Sequence, residues 1–159
     1  MLVKSSEFLK NAIKPGWRTD ATKPIHIFDF ELTIFEAYCG WLYAGKIVRH
    51  KGHHFNLLAK LYVLGKKLMD TAFKDAIIAA IIRSCIDYNM YPGIKPIQTI
   101  CAGTSASSPV RRLIVDFWVF NAGRTWKGLS DLIEGTCPDF VQRPWLATPE
   151  SYHMDSETK

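Results

Sequence analysis

The chain has 159 residues, of which 48% are hydrophobic and 22% are charged, and its formal net charge is +5. This composition excludes intrinsic disorder and is typical of one folded domain with a single core. The basic residues are dispersed without a basic arm, and the longest strictly apolar run, 76–82, is far shorter than the roughly 20 residues that a membrane span needs.

The N-terminal part of the chain predicts one short helix and one short strand. The helix is expected over 6–13, with a serine as its cap and a Pro-Gly pair that stops it. Residues 23–28 contain β-branched and aromatic side chains that favour a strand, and 46–48 suggest a second brief extended piece. Because strands this short are marginal by themselves, the predicted class is mostly α, or α+β with a minor β component.

A first amphipathic helix is predicted over 30–43. Asp29 is the expected N-cap, and Gly45 is the expected left-handed residue that ends the helix. The residues at helical spacing that should face the core are Leu32, Phe35, Cys39 and Leu42.

Two more amphipathic helices follow and form a helical hairpin or corner. The first is predicted over 55–69, and the second ends near 87–89. Asp70 stands between them, where it can cap the second helix. The apolar faces consist of Leu57, Leu58, Leu61, Leu64 and Leu68 on the first helix and Phe73, Ala76, Ile77, Ala80 and Ile81 on the second.

The C-terminal part predicts a short helix at 94–100, a small-residue loop, and a helix that starts at Ser108-Pro109. The buried face of that last helix should contain Val110, Leu113, Ile114 and Phe117, and 129–134 favours one or two further helical turns. The expected organisation is a first unit over 1–90, a helical extension over 91–145 packed on it, and a flexible tail over 146–159.

The four cysteines, Cys39, Cys85, Cys101 and Cys137, include no pair with C-x-x-C spacing. The first three lie among apolar neighbours in predicted helices, which favours buried free thiols. The start of the chain lacks the apolar core of a signal peptide. These observations favour a reducing compartment, the cytoplasm or the nucleus.

No pattern of reactive side chains emerges from the sequence. His50, His53 and His54 lie near Cys39, but a zinc site needs a second pair of ligands at defined spacing. A nucleophilic cysteine would need a base and an orienting group, and no phosphate-binding glycine motif is present. We therefore predict no catalytic, cofactor-binding or metal-binding residue.

Basic pairs and aromatic residues are the remaining candidates for contact with a partner. Lys66-Lys67 and Arg111-Arg112 could touch phosphate, but such isolated pairs are more often solvated helix faces. Part of the aromatic set is expected to extend beyond the core and to mark a partner surface. This set consists of Trp41, Tyr43, Tyr62, Phe117 and Trp118.

Five segments in this order resemble fungal BTB/POZ proteins. They cover most of 5–120 and consist of the helix at 6–12, the stretch Phe35-x-x-Tyr38-x-x-Trp41-Leu42-Tyr43-Ala44-Gly45-Lys46-Ile47, the helix Leu58-x-x-Leu61-Tyr62-Val63-Leu64-Gly65-x-Lys67-Leu68, the segment 73–78, and Ser108-Pro109-Val110-Arg111-Arg112-Leu113-Ile114-Val115-Asp116. The resemblance implies a truncated BTB/POZ-like helical cluster followed by C-terminal helices.

The chain differs from that family at its N-terminus. About 30 residues of the usual domain, on the scale of a strand–strand–helix unit, have no counterpart before Ser5. In the family this unit supplies sheet partners and much of the homodimer interface. The resemblance therefore implies a domain for which homodimerisation is doubtful.

The first hypothesis is a non-catalytic protein–protein interaction module. The resemblance implies adaptor duty for a cullin-based ubiquitin ligase, or self-association, as the form of that interaction. Two alternatives stay open. The pI near 9.0 permits a nucleic-acid-associated helical protein, although nucleic acid is the less favoured partner. The missing N-terminal unit permits a truncated gene product without independent function.

Overall fold

The structure, a computed structural model, describes residues 6–12, 14, 30–47, 54–121 and 137. Six helices lie in these residues, and the described residues contain no strand. We label them α1 (Glu7–Ala12), α2 (Leu32–Ala44), α3 (His54–Lys67), α4 (Thr71–Tyr88), α5 (Ile94–Gly103) and α6 (Pro109–Asn121). The prediction of a mostly α protein is confirmed. The expected strand at 23–28 lies outside the described residues, and neither Lys46 nor Ile47 is in a strand.

The predicted helix ends agree with the structure where a cap was expected. The backbone N–H of Leu9 donates to Ser6 Oγ at 3.2 Å, so Ser6 caps α1. Gly45 ends α2 with a φ of 65°, and Asn89 ends α4 with a φ of 47°. Asp29 lies outside the described residues, and α2 begins after Glu31 without a side-chain cap.

The predicted core face of α2 is correct only in part, because Phe35 and Leu42 pack against the core but Leu32 does not. Leu32 is 71% exposed, whereas Ile34 and Tyr38 are the buried residues of this helix. Tyr38 was not among the residues expected to face the core. Inside the fold the hydroxyl has a buried acceptor, and the ring packs edge-on against Phe73 with centroids 4.8 Å apart. A tertiary contact thus rotates the helix relative to its apparent apolar stripe.

Helix α3 lies at the centre of the described fold. It packs against α2, α4 and α5, and α6 packs on α5. A helix that is surrounded in this way is apolar on more than one face, which is what its sequence shows. Its buried residues are Leu58, Ala59, Leu61, Tyr62, Val63, Leu64 and Gly65.

One cluster of buried residues extends from Ile34 in α2 to Trp118 in α6 and includes Cys137. Trp118 anchors α6 by donating its indole N–H to the carbonyl of Pro92 at 3.0 Å. The division into units at residue 90 stays a prediction, although the core is continuous across it. The expected turns at 129–134 and the tail at 146–159 lie outside the described residues.

Candidate interaction surface

The most connected polar group in the described residues is a corner where α1, α2, α3 and α4 meet. Asp70 is fully buried between α3 and α4. Its Oδ1 accepts the backbone N–H of Phe73 at 3.0 Å, and its Oδ2 accepts the hydroxyl of Tyr38 at 2.9 Å. On the preceding turn, Ser6 Oγ donates to the carbonyl of Leu68 at 2.6 Å. We call Ser6, Tyr38, Leu68, Asp70 and Phe73 the Asp70 corner.

The Asp70 corner has the chemistry of a cap. Both carboxylate oxygens accept a hydrogen bond from a group held by the helices themselves. Full burial leaves the carboxylate no contact with solvent. A buried group whose oxygens both accept hydrogen bonds, and which no substrate can reach, has a structural role. The Asp70 corner therefore fixes the positions of the helices that meet there.

A second polar junction joins the end of α5 to the start of α6. Arg111 is only 8% exposed. Its guanidinium donates to the carbonyls of Cys101 and Thr104 and, at 3.0 Å, to Thr104 Oγ1. These carbonyls belong to the last turn of α5, whose C-terminal oxygens have no partner within the helix. The positive charge also lies where the helix dipole favours it.

The burial of Arg111 corrects its interpretation as part of a solvated basic pair. Arg112 is exposed, and so are Lys66 and Lys67, as predicted. Lys67 places its ammonium 4.6 Å from the ring centroid of Phe30. The adjacent arginines therefore point in different directions, because one of them caps α5. Because Arg111 is buried, the Arg111-Arg112 pair offers only one exposed arginine for contact with nucleic acid.

Replacing Arg111 with alanine is expected to lower the free energy of unfolding by about 2 kcal/mol, because it leaves buried carbonyls of α5 without donors. The neighbouring Arg112→Ala change removes the same charge from an exposed position and should stay within about 0.5 kcal/mol. Urea denaturation followed by circular dichroism measures both. Equal losses in the two variants would contradict the capping role.

Cys101 departs from its interpretation as a free thiol. Cys101 and Cys137 form a disulfide with a Cα–Cα distance of 5.7 Å. The pair was missed because the two residues are 36 positions apart and only the fold brings them together. Cys39 and Cys85 are free, as expected, and Cys85 is buried.

The buried thiol of Cys85 has a pKa that burial raises to about 11. Since the folded-state pKa lies above the unfolded value, the native state holds this proton more tightly, and the stabilisation is fully present below the unfolded pKa. We expect stability to fall as the pH rises from about 9 through 11. Chemical denaturation across this range should show a smaller fall for Cys85→Ala than for the wild-type chain. An identical pH dependence in both would contradict the assignment.

The described histidines and cysteines do not form a metal centre with one another. His54 is the first residue of α3, whereas His50 and His53 lie outside the described residues. Within the described ranges, no three His, Cys, Asp or Glu side chains converge in a way that could hold a metal ion. The prediction that the chain has no such site stays a prediction for the rest of the sequence.

A groove of about 170 Å³ runs between the start of α2 and α3. Its apolar walls are Phe30, Ile34 and Val63. Glu31 and Lys60 line its rim and form an ion pair with an N–O distance of 2.5 Å. Both charged side chains are well exposed, so this pair contributes little to stability. The groove could accommodate one apolar side chain of a partner.

Large apolar side chains are exposed at the ends of two helices. Ile86, Tyr88 and Met90 are 76%, 58% and 57% exposed, and they lie within five consecutive residues at the end of α4. We call them the α4-end residues. Leu32 and Tyr43, at the two ends of α2, are 71% and 77% exposed. Several apolar side chains concentrated in one short segment are the usual mark of a binding surface.

The aromatic set that the sequence singled out is mostly core, as expected. Tyr62 and Trp118 are buried, and Trp41 and Phe117 are partly buried against the core cluster. Trp41 packs on Phe73 with ring centroids 4.9 Å apart. Tyr43 is the exposed member of the set. The α4-end residues were missed because Tyr88 continues the spacing of the apolar stripe, and nothing in the sequence indicates that the helix extends past the core.

No protein-family model, no curated protein and no solved structure matches the chain. The resemblance to BTB/POZ proteins therefore stays a prediction that depends on the motifs themselves. Among the described helices, none has the combination of length and apolar content that crossing a bilayer requires.

Proposed function

We propose that this chain is a protein–protein interaction module of BTB/POZ type that performs no catalysis. The observation that carries the proposal is the exposure of Ile86, Tyr88 and Met90, where the end of α4 extends past the packed core. Large apolar side chains are costly to leave in water, and a partner that covers them gains roughly 25 cal/mol for each Å² removed from solvent.

The packing of α4 supports a binding role for the residues at its end. Phe73, Ile77 and Ile81 bury one face of α4 in the core, and the Asp70 corner holds its first turn. Ile86 and Tyr88 are therefore carried by a helix with a defined orientation, and Met90 follows just after its end. Pre-organised side chains lose less entropy on binding than mobile ones, which favours recognition by a protein surface.

The sequence motifs support the type of module. The segment that resembles the central family helix, 58–68, coincides with most of α3, and the Ser108-Pro109 motif coincides with the start of α6. In the family such helices accompany partner binding, with cullin adaptor duty or self-association as its forms. A cytoplasmic or nuclear location belongs to the same proposal. Because thiols stay reduced there, that location requires the Cys101–Cys137 pair to be reversible.

The test compares two sets of exposed substitutions in the full chain. The first variant carries Ile86→Ser, Tyr88→Ser and Met90→Ser, and the matched control carries Leu32→Ser and Tyr43→Ser. All five positions are exposed, so we expect both variants to keep the wild-type melting temperature within a few degrees. Binding to a purified cullin N-terminal region and self-association are measured by calorimetry and light scattering.

The proposal expects one of these two interactions in the wild-type chain and at least a tenfold loss of affinity in the α4-end variant, equivalent to about 1.4 kcal/mol. The control variant should bind like the wild type. Failure of the wild-type chain to bind a cullin under conditions where a full-length BTB protein binds, together with a strictly monomeric state, would contradict the proposed function.

A further inference from the structure

The disulfide joins two buried cysteines that are distant in the sequence. Cys101 lies in the last turn of α5 and is 7% exposed, and Cys137 is fully buried in the core cluster. The bond spans a separation of 36 residues. It therefore cross-links Cys137 to α5.

The bond lies at the junction that Arg111 organises. The carbonyl of Cys101 accepts a hydrogen bond from the Arg111 guanidinium, which also reaches Thr104. Arg111 holds the end of α5 whether or not the sulfur atoms are joined, because its bonds involve backbone oxygens and the hydroxyl of Thr104. The binding site for Cys137 on α5 is thus maintained by groups that do not depend on the oxidation state.

The other two cysteines do not compete for this bond. Burial raises the pKa of the Cys85 thiol to about 11, and burial together with Glu36 raises that of Cys39. Since the thiolate is the attacking species in thiol–disulfide exchange, both thiols are weakly reactive at neutral pH. Oxidation is therefore directed to the pair that the fold brings into contact.

We propose that Cys101 and Cys137 form a redox-sensitive clip that holds Cys137 against α5 when oxidised and releases it when reduced. A small dithiol is the reductant in this exchange. One of its thiolates attacks a sulfur of the pair, which breaks the S–S bond and forms a mixed disulfide. Its second thiolate then displaces the protein sulfur. The dithiol leaves as a disulfide, and both protein cysteines take up a proton, so that two electrons have passed to the protein.

Reduction removes the covalent cross-link between Cys137 and Cys101 of α5. Cys137 can then separate from the core, and the exposed part of α5 next to Cys101 changes with it. The clip does not depend on the identity of any protein partner. Its test counts free thiols, whereas the test of the proposed function measures binding, so that either proposal can fail without the other.

The test uses the full chain equilibrated in buffers with different ratios of reduced to oxidised dithiothreitol, without denaturant. The thiols are then trapped with N-ethylmaleimide after acid quenching and unfolding, and mass spectrometry counts the modified cysteines. We expect two modified cysteines, Cys39 and Cys85, at the oxidising end and all four at the reducing end. The change should be reversible, and hydrogen exchange of the 94–103 segment should be faster in the reduced chain.

Three variants identify the bond. Cys137→Ser should lose the redox dependence and exchange like the reduced wild type, whereas Cys39→Ser and Cys85→Ser should retain the two-thiol change. Since Cys137→Ser could fail to fold, the reduced wild-type chain gives the same comparison without any substitution, with helix content checked by circular dichroism. Four free thiols at every ratio, a cross-link that involves Cys39 or Cys85, or reduction that occurs only in denaturant would overturn the clip.

Discussion

Replacing Gly103 with alanine is expected to lower the free energy of unfolding by about 3 kcal/mol. A Cβ atom at this position would lie 2.6 Å from Cγ1 of Val63 and closer still to its Cγ2. Val63 is a buried, β-branched residue of the central helix α3, so its methyl groups have little freedom to move aside. The overlap would force α5 away from α3. Urea denaturation at neutral pH measures the loss.

Two further variants separate this overlap from other effects of the alanine. Gly40→Ala introduces the same methyl group in α2, where nothing lies within 4 Å, and it should leave stability unchanged or raise it by up to about 1 kcal/mol. Val63→Ala in the Gly103→Ala background should restore part of the loss, because it removes the opposing methyl groups. Additive losses in that double variant would show that the two helices do not meet at this point.

Replacing Asp70 with alanine is expected to cost about 3 kcal/mol, for two separate reasons. The change removes the N-cap of α4, which is worth about 1 kcal/mol. It also leaves the hydroxyl of Tyr38 and the backbone N–H of Phe73 buried without acceptors, and each such group adds a desolvation penalty. Thermal and urea denaturation of the purified variant give the change in stability.

The controls for Asp70→Ala are a conservative substitution at the same position and an alanine substitution at an exposed aspartate of α4. Asp70→Asn retains an oxygen for the Phe73 N–H and should lose much less, while Asp75→Ala, on the exposed side of α4, should stay within about 0.5 kcal/mol. Tyr38→Phe combined with Asp70→Ala should cost less than the sum of the single changes, because both disrupt one hydrogen bond. A strictly additive result would refute the shared bond.

Local chemistry allowed most of the helical framework to be predicted from the sequence. Ser6, Gly45, Asp70 and the Ser108-Pro109 start are short-range signals, because a cap depends on the backbone groups within one helical turn. The apolar residues of α3 and α4 could be predicted for a related reason, since apolar side chains at helical spacing must be buried against other elements.

The face of α2 and the role of Arg111 could not be predicted in this way. Tyr38 is buried because Asp70, 32 residues away, accepts a hydrogen bond from its hydroxyl, and Arg111 is buried because it caps carbonyls of another helix. Periodicity within one helix indicates neither of these partners. Their actual position depends on partners that only the folded chain supplies.

The sequence by itself determined the order and approximate bounds of the described helices and that the protein is mostly α, since caps and apolar spacing act within a few residues. Only the tertiary structure decided which face α2 buries, that Cys101 meets Cys137, and that Ile86, Tyr88 and Met90 stay exposed. Whether a side chain is buried, and which residue it contacts, depends on the segments that pack around it. Those segments are far apart along the chain and meet only when the helices pack.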